Sequence, residues 1–174
     1  MQIIKTSLPN LFILNFKPKK DKRGSFTRIF CEALLRKKKI LKIKQINISK
    51  NKKSKTLRGF HFQSGKFSEN KIIIPIKGKV LFQIININAK SKYYLKKFRI
   101  TLSENNNKAL LVPKDCATGF MTLKTNTHVL YLMSNFYNPK YSKGILYNDK
   151  KINIKWPFKP KIISKKDLSY DFLK

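Results

Sequence analysis

Acidic residues, histidine and cysteine are scarce in this sequence of 174 residues. The eight acidic residues and two histidines are scattered along the chain, whereas a catalytic zinc ion needs three protein ligands, usually histidine-rich. The two cysteines, Cys31 and Cys116, are too few for a disulfide framework in a chain of this length. We therefore expect neither a metal centre nor a disulfide scaffold.

Long apolar runs are missing as well. The longest lies around Ile72–Ile76 and has charged residues close on both sides, so it is too short to span a bilayer. At the N-terminus, Lys5, Pro9 and Asn10 interrupt the apolar residues, and no small-residue cleavage site follows. We expect a soluble, cytoplasmic protein without a membrane partner.

Positive charge is abundant: 40 Lys and Arg residues against 8 Asp and Glu residues give a formal net charge of +32. Such an excess is typical of proteins that bind nucleic acids or anionic membranes. However, 35 of the 40 are Lys and only 5 are Arg, the residue best suited to bidentate recognition of bases and phosphates. Because lysine occurs in nearly every segment, we interpret the charge as a compositional bias and expect no specific nucleic-acid partner.

The apolar fraction of 41%, with 12% aromatic residues, is sufficient for a hydrophobic core, and the length fits a single domain spanning residues 1–174. Short strand-like segments dominate, with one helix predicted at Arg28–Arg36. This pattern favours an antiparallel all-β sandwich or barrel. The predicted strands are Leu11–Phe16, Leu41–Ile48, Lys71–Ile76, Val80–Ile87, Phe98–Leu102, Ala109–Val112, Phe120–Leu123 and His128–Met133.

The turns between these strands suggest which strands pair. A turn around Gly78 predicts a hairpin of the two flanking strands, and the turn at residues 124–127 predicts a second strand pair. Residues 103–108 form another predicted turn. From Asn138 onward, Pro, Lys and Asn become frequent, and we expect an irregular tail anchored on the core by Trp156-Pro157.

His61 stands between Phe60 and Phe62 in the segment Thr56–Gln63. On a regular strand, His61 and Arg58 lie on opposite faces, because their positions differ by an odd number. Spacing alone favours a core histidine satisfied by a backbone group. The eight acidic residues include Glu69 and Asp149. Most of the eight fall in predicted turns, where contact with solvent is enough to explain a charged residue. Asp167 is instead a candidate for an Asx-type turn or a helix start.

A collinear series of short motifs runs from Lys5 to Asp167, nearly the whole chain. The segments are Lys5-Thr6, Asp21–Phe26, Gln45–Ser49, Leu57–Gln63, Lys71, Gly78, Val112-Pro113, Ala117–Phe120, Val129–Tyr131, Tyr137–Pro139, Asn148-Asp149, Trp156-Pro157 and Ser164–Asp167. In these segments the sequence resembles the family of dTDP-4-dehydrorhamnose 3,5-epimerases. One such motif is a weak signal, but this many in order and with family-like spacing are a specific sign of common ancestry.

The resemblance implies a double-stranded β-helix jelly roll of the RmlC-like cupin type, with a short helix near the N-terminus and an irregular C-terminal tail. It also implies a metal-free homodimer that needs no cofactor. The expected activity is epimerisation of a dTDP-4-keto-6-deoxyhexose in deoxysugar biosynthesis of the dTDP-L-rhamnose type. The C4 ketone of such a sugar acidifies the hydrogens at C3 and C5, because the carbanion delocalises as an enolate. Inversion then needs a base on one face and an acid on the other.

The family's catalytic residues match four positions of this sequence. His61 matches the base, and Asp167 matches the carboxylate that orients it and stabilises its imidazolium form. Tyr131 matches the phenol that donates the proton on the opposite face. Lys71 matches the cation that stabilises the enolate oxygen. The substrate-binding positions expected from the alignment with the family, whether or not the residue type is kept, are Arg23, Arg28, Gln45, Asn47, Arg58, Thr118, Phe136 and Lys166.

The substrate-binding positions divide by the part of the substrate they match. Arg23, Gln45 and Asn47 match residues around the nucleotide diphosphate. Phe136 matches an aromatic residue that stacks on thymine. Arg58 matches a residue on the sugar or phosphate side.

Some family positions carry different residues here. Thr118 stands where the family has a second active-site histidine, and Phe82 stands where it has an aspartate of the pocket. Arg28 and Ser142 align with acidic residues of the family. Three consequences remain open: an altered rate, inversion of C3 or C5 alone, or a different keto-sugar nucleotide.

Two other classes of function are alternatives. One is a catalytically weakened sugar-nucleotide-binding protein of the same fold, and the other is a basic nucleic-acid-binding protein. The survival of His61, Asp167 and Tyr131 argues against the first, since drift would not spare these residues selectively. The dispersed lysines and the lack of a nucleic-acid-binding motif argue against the second.

Overall fold

The computed structural model describes residues 1–35 and 42–173, and that part of the chain is almost entirely β structure. The strands are β1 (Gln2–Lys5), β2 (Phe12–Asn15), β3 (Lys19–Asp21), β4 (Gly24–Phe26), β5 (Gln45–Asn51), β6 (Leu57–Gln63), β7 (Lys71–Lys77), β8 (Lys79–Asn86), β9 (Lys97–Ser103), β10 (Lys108–Val112), β11 (Cys116–Thr122), β12 (Thr127–Met133) and β13 (Ser142–Gly144). The helical elements are α1 (Glu32–Leu35), α2 (Lys165–Leu168) and the 3-10 helices Gly65–Phe67 and Pro139–Tyr141.

Two antiparallel sheets face each other across the main core. The six-stranded sheet has the order β1-β2-β10-β7-β12-β5, and the five-stranded sheet has the order β13-β6-β11-β8-β9. β3 and β4 form a separate two-stranded hairpin. Ile73 and Val129 of the first sheet meet Phe82 of the second in one buried cluster. This two-sheet jelly roll confirms the predicted all-β fold class.

The six-stranded sheet is covered on its outer face as well. Ile72 and Ile74 of β7 pack there with Leu35 of α1 and with Phe16, while Ile73 between them packs in the core between the sheets. Both faces of β7 are therefore buried. This explains why its apolar residues follow one another instead of alternating with polar ones.

The hairpin predicted around Gly78 is wrong. β7 pairs with β10 and β12 in one sheet, whereas β8 pairs with β9 and β11 in the other. Only Gly78 separates β7 from β8, fewer residues than the two of the tightest common hairpin loop. Its φ of +78° allows a sharp corner, and a Cβ here would lie 2.5 Å from the Oγ1 of Thr127. The chain therefore passes from one sheet to the other at this glycine.

The pairing predicted across residues 124–127 is also wrong, because β11 lies in the five-stranded sheet and β12 in the six-stranded sheet. The predicted turn at residues 103–108 is confirmed, and it too connects the two sheets. A turn signal in the sequence marks a change of chain direction. It does not distinguish strands that pair from strands that face each other across a core.

The N-terminal helix begins later than predicted. Of the segment Arg28–Arg36, α1 comprises a single turn, and Arg36 lies outside the described residues. Ile29 and Phe30 still pack with Leu35 against the outer face of the six-stranded sheet. The apolar residues Ile29 and Phe30, which suggested a helix, are thus partly buried in a segment without regular secondary structure. None of the helices in residues 1–35 and 42–173 is long and apolar enough to cross a membrane.

The strand predicted at Leu41–Ile48 begins later in the structure. β5 starts at Gln45 and continues to Asn51, and the first predicted residue lies outside the described part of the chain. β5 is an edge strand of the six-stranded sheet. Its Ile46 and Ile48 share one face and are exposed. The alternation in the sequence is therefore that of a strand, but its apolar side faces outward.

The C-terminal tail is mostly irregular, as predicted, and is anchored by Trp156. The ring centre of Trp156 lies 5.7 Å from that of Phe60 in β6, and its indole N–H donates to the carbonyl oxygen of Tyr147 at 2.9 Å. β13 pairs with β6, and α2 lies against the same strand. The tail thereby brings Asp167 of α2 next to β6.

Candidate active site

A cavity of about 420 Å³ lies between the two sheets. Side chains from β5, β7 and β12 form one wall, and side chains from β6, β11 and the C-terminal tail form the other. Eight of the twelve site residues expected from the sequence line this cavity: Asn47, Arg58, His61, Lys71, Thr118, Tyr131, Lys166 and Asp167.

His61 and Asp167 form a hydrogen-bonded pair at the cavity wall. The Nε2 of His61 lies 2.7 Å from the Oδ1 of Asp167. Asp167 lies in the first turn of α2, whose N-cap residue Ser164 accepts the Asp167 backbone N–H at 3.0 Å. The other carboxylate oxygen accepts the backbone N–H of Gly59 at 3.1 Å. Asp167 is 3% exposed and the His61 side chain 41% exposed, so a ligand can reach the imidazole.

The surroundings of Asp167 keep its carboxyl group ionised. Burial acts to raise its pKa, but the hydrogen bond to His61 and the charge of that ring act in the opposite direction. Together with the hydrogen bonds that involve Gly59 and Ser164, they hold the pKa of Asp167 below its ordinary value. An ionised carboxylate fixes the orientation of the ring and stabilises its imidazolium form. Because Nε2 bonds to Asp167, Nδ1 is the ring nitrogen of His61 that can act on a ligand.

Arg58 and His61 line the same cavity, which corrects the prediction that they lie on opposite faces of a strand. Thr118 of β11 lies opposite His61. Phe120, two residues after Thr118 on β11, lies opposite Arg58, and Arg58 is three residues before His61 on β6. This bulge shifts the alternation of β6 by one residue. The Nε of Arg58 donates to the Oδ1 of Asn51 at 2.9 Å, which fixes its guanidinium group at the wall.

Lys71 reaches the cavity from β7 and forms an ion pair with Glu69. Its Nζ lies 3.5 Å from the Oε1 of Glu69 and donates to the backbone carbonyl of His61 at 3.3 Å. Lys71 is 6% exposed and Glu69 4%. Burial lowers the pKa of Lys71 and raises that of Glu69, while the charge of each opposes the change in the other. The expectation that solvation explains Glu69 is wrong, because Lys71 pairs with its carboxylate inside the protein.

Tyr131 lies on β12, in the sheet opposite His61. Because the cavity lies between the sheets, the phenol and the imidazole approach a bound ligand from opposite sides. Burial raises the pKa of the Tyr131 hydroxyl well above its ordinary value, against a smaller opposing effect of the Arg58 charge. The hydroxyl is therefore protonated at neutral pH and can donate a proton.

Comparison with known proteins identifies the family. Residues 5–174 match the sequence model described as dTDP-4-dehydrorhamnose 3,5-epimerase. The chain belongs to this family. A relative of this name from Shigella flexneri is 33% identical over 174 residues, which cover 97% of this chain and 94% of the relative. Another, from Salmonella typhimurium, is 36% identical over 163 residues, which cover 91% of this chain and 87% of the relative.

Solved structures of the family have the same fold. The Bacillus anthracis dTDP-4-dehydrorhamnose 3,5-epimerase, with TDP and PPi bound, matches with a TM-score of 0.95 and 31% identity over 99% of each chain. The Legionella pneumophila epimerase, in complex with dTDP-4-keto-L-rhamnose, matches with a TM-score of 0.92 and 27% identity over 98% of this chain and 92% of that one. These findings confirm the predicted family, its jelly-roll fold and the epimerase class of enzyme.

In this epimerase, two of the expected substrate-binding arginines lie outside the cavity. Arg23 and Arg28 are exposed. The Nη2 of Arg23 pairs with the Oδ2 of Asp21 in its own hairpin at 2.7 Å. Their roles in binding a nucleotide sugar stay predictions from the sequence.

Gln45 and Phe136 also lie outside the cavity in this epimerase. The amide of Gln45 donates to the carbonyl oxygen of Asn135 at 2.8 Å, so it supports the residue before Phe136. Phe136 is 57% exposed, and the Nζ of Lys44 lies 4.9 Å from the centre of its ring. An exposed aromatic ring is available for stacking on a base, but its role is likewise a prediction.

Three of the positions predicted to differ from the family fall into two groups in the structure. Thr118 and Ser142 line the cavity. Phe82 is instead fully buried, and its ring lies 5.5 Å from that of Phe120, which lines the cavity. The expectation that Phe82 stands in the pocket wall is therefore corrected. It supports the wall from behind.

Sequence reasoning missed Tyr170, which follows α2 and lines the cavity. Its ring meets the His61 ring edge-on, with 6.0 Å between the centres. Its hydroxyl is buried and has no hydrogen-bond partner among the described residues. Gly144 of β13 makes room for the ring, because a Cβ there would collide with it. No local motif indicates that Tyr170 packs near β6. The one sequence feature related to this contact is Gly144, whose lack of a side chain leaves space for the ring.

The acidic groups of the cavity are already engaged by the protein. Glu69 is bound by Lys71 and Asp167 by His61. Across residues 1–35 and 42–173, no group of three His, Cys, Asp or Glu side chains could hold a metal ion.

Proposed function

We propose that the protein inverts C3, C5 or both carbons of a dTDP-4-keto-6-deoxyhexose, in deoxysugar synthesis of the dTDP-L-rhamnose type. The relatives carry the name of this epimerase, and the Legionella pneumophila structure holds dTDP-4-keto-L-rhamnose. One observation carries the proposal: His61 with Asp167 lies on one wall of the cavity and Tyr131 on the other. Inversion of a carbon needs this arrangement, since the proton leaves one face and another arrives at the opposite face.

His61 begins the reaction as the base. The neutral imidazole takes the hydrogen of C3 or C5 as a proton, and the electron pair of the broken C–H bond moves toward C4. Negative charge then collects on the ketone oxygen, which gives the enolate. Asp167, whose pKa lies below its ordinary value, is ionised and stabilises the imidazolium that forms.

Cationic side chains stabilise the negative charges of the substrate. Lys71 at the cavity wall provides the positive charge for the enolate oxygen, in surroundings shielded from water. Arg58 and Lys166 also line the cavity, and they provide charge for the diphosphate and its sugar.

Tyr131 completes the inversion. Its O–H transfers a proton to the opposite face of the carbon, and the enolate returns to the ketone. The phenolate and the imidazolium regain their starting states by proton exchange with water. One proton is lost and one is gained, so the reaction needs no cofactor.

We extend the proposal to a cytoplasmic homodimer. β3 and β4 stand apart from both sheets, and a hairpin of two strands is only marginally stable alone. Phe26 on this hairpin is exposed, as are Ile46 and Ile48 on the edge strand β5. A second copy that covers these apolar residues would also give Arg23 a route to a substrate.

Deuterium exchange tests the proposed function. The protein is incubated with dTDP-4-keto-6-deoxyglucose in D₂O, and proton NMR follows the loss of the C3 and C5 hydrogen signals. We expect His61→Ala to slow this exchange about 10³-fold or more, because it removes the base. His128→Ala is the matched control, since His128 lies on β12 and does not line the cavity.

The outcomes distinguish the competing functions. Native exchange by His61→Ala, or loss of exchange in His128→Ala alone, contradicts the assignment of the base. A native protein that binds the nucleotide sugar without any exchange is a binding protein and not an epimerase.

A further inference from the structure

A buried ion pair lies at the cavity wall, and the reaction described above uses only one of its partners. Of the ion pairs within the described ranges, only Lys71 with Glu69 has both side chains buried. One oxygen of Glu69 lies 3.5 Å from the Lys71 Nζ, and the other accepts the amide N–H of Gln63 at 2.7 Å. Both oxygens of the carboxylate are therefore engaged.

Burial of two charges is an expensive way to stabilise a fold. A buried ion pair is often no more stabilising than apolar side chains of similar size, whereas loss of one partner leaves an uncompensated charge. The pair therefore calls for a role besides stability. Its place beside His61, whose carbonyl accepts a hydrogen bond from Lys71, indicates a role in the reaction.

We propose that Glu69 is a positioning residue that keeps the Lys71 ammonium charged and fixed at the place where the enolate oxygen forms. This rests on the function proposed above, because Glu69 acts through Lys71 and not through contact with the substrate. No motif in the sequence assigns this role to Glu69.

Gln63 of β6 holds Glu69 in place and is itself fixed by backbone groups of residues 136–138. Its Oε1 accepts the backbone N–H of Asn138 at 2.7 Å, and its Nε2 donates to the carbonyl oxygen of Phe136 at 3.0 Å. The same amide nitrogen donates to Glu69. The carboxylate that positions Lys71 is thus held by a side chain that is anchored at both its amide oxygen and its amide nitrogen to residues 136–138.

The electrostatic surroundings of Lys71 come from several elements. Burial lowers its pKa, and the charge of Glu69 is the main effect that opposes this. The Cys116 thiol of β11 also interacts with it, but burial raises the pKa of that thiol to about 12, so it is uncharged at neutral pH. The charged or titratable residues that share the cavity with Lys71 are Arg58, His61, Tyr131, Tyr137, Lys166, Asp167 and Tyr170. Without Glu69, burial would cause Lys71 to lose its proton at a lower pH.

The test compares Glu69→Gln with Glu104→Gln, the same change at an exposed turn residue. The rate of deuterium exchange at C3 and C5 is measured across neutral and alkaline pH. For Glu69→Gln we expect the alkaline limb of the profile to move toward acid by about one pH unit or more. Above neutral pH, kcat should fall about tenfold with KM nearly unchanged. Glu104→Gln should retain the native profile.

A second variant separates charge from shape. Glu69→Asp keeps the negative charge, and we expect its alkaline limb to stay near the native position although kcat decreases. A merely structural role for Glu69 would lower activity by one factor at every pH and leave the limb unmoved. A native pH profile in Glu69→Gln, with the fold verified by circular dichroism, overturns the proposal.

An NMR titration tests the proposal without substrate. In protein labelled with ¹³C-lysine, the Cε signal of Lys71 is identified by its absence in Lys71→Met. We expect this signal to report a lower pKa of Lys71 in Glu69→Gln than in the native protein. If the native protein shows no exchange but this shift occurs, the proposed function fails while the control of Lys71 by Glu69 stands. If the shift is absent, the proposal about Glu69 fails by itself.

Discussion

The two residues of the His61–Asp167 pair differ in their exposure to solvent. The His61 ring is accessible to a ligand, whereas the carboxylate that supports it is buried and is hydrogen-bonded to the His61 ring and to the backbone N–H of Gly59. Burial separates the Asp167 carboxylate from solvent, and its hydrogen bonds keep its pKa below the ordinary value, so that it stays ionised. The exposed member of the pair can therefore exchange protons while the buried member holds its geometry constant.

This arrangement predicts a stability that depends on pH. Because the pKa of Asp167 is lower in the folded protein than in the unfolded chain, its ionisation stabilises the fold above the unfolded pKa of about 4. That contribution is lost as the pH falls through the folded pKa. We expect the difference in free energy of unfolding between the native protein and Asp167→Asn to be largest above about pH 4 and to shrink below it. Urea unfolding over a pH series measures this, and a difference independent of pH contradicts it.

The resemblance to a family predicted catalytic residues that the structure brings together in one cavity, and it missed the residues that support them. His61, Asp167, Tyr131 and Lys71 all line one cavity, although their separation in the sequence gives no hint of it. Glu69 escaped notice because a carboxylate in a turn is ordinarily solvated. Its burial depends on Lys71, and only the folded chain brings a partner to each charge.

Among the elements, β13 and α2 of the tail have an effect beyond their size. β13 extends the five-stranded sheet beside β6, and α2 places Asp167 behind His61. Tyr170 follows α2 and fits over Gly144 of β13. The tail therefore forms part of the cavity wall and holds the His61 ring through its hydrogen bond to Asp167.

The contact between Gly144 and Tyr170 makes a prediction at this scale. We expect Gly144→Ala to lower the exchange rate and the Tm, because the added methyl group displaces the Tyr170 ring from its place beside His61. In a Tyr170→Ala background, Gly144→Ala should add little, since the ring is no longer present to be displaced. Additive effects of the two changes would contradict the coupling.

Tyr170→Phe is the control for this pair. It keeps the ring and removes a hydroxyl that is buried without a partner in the described part of the chain. An unsatisfied buried hydroxyl costs about 1 kcal/mol or more, so we expect this variant to be at least as stable as the native protein.

The strands were easier to predict than their partners. β2, β7, β8, β9, β10 and β12 lie within about a residue of their predicted ends, since β-rich apolar segments bounded by turns are a local signal. The pairing across Gly78 failed because one glycine leads to a corner between sheets as readily as to a hairpin. Sheet assignment depends on contacts between distant segments, which local patterns do not contain.

In the whole molecule, the two sheets create the cavity and determine which residues face each other. β6 and β12 are far apart in the sequence, and they lie in opposing sheets. A base on β6 and an acid on β12 can therefore act on opposite faces of one sugar. Arg23 and Phe136 belong to the same predicted site and yet lie outside the cavity. The cavity of the single chain thus contains the groups proposed for proton transfer, while Arg23 and Phe136, which are predicted to bind the nucleotide, lie on its surface.

The proposed homodimer follows from that division and predicts a mass in solution. Light scattering should give about twice the chain mass of 20.5 kDa. We expect Phe26→Glu to weaken the dimer, because it puts a charge on an apolar residue exposed on the isolated hairpin. Tyr94→Glu, at an exposed aromatic residue between β8 and β9, is the matched control. A monomeric native protein, or equal effects of the two changes, speaks against this interface.

The most direct test of two-sided proton transfer compares exchange with inversion in Tyr131→Phe. His61 remains to remove the proton, but the opposite face lacks its donor, so the enolate is reprotonated from the base's own side or from water. Deuterium incorporation at C3 and C5 should therefore persist, while inverted product, identified by proton NMR coupling constants, falls about 100-fold or more. Inversion of both carbons at the native rate in Tyr131→Phe would show that Tyr131 only packs in the sheet and that the acid lies elsewhere.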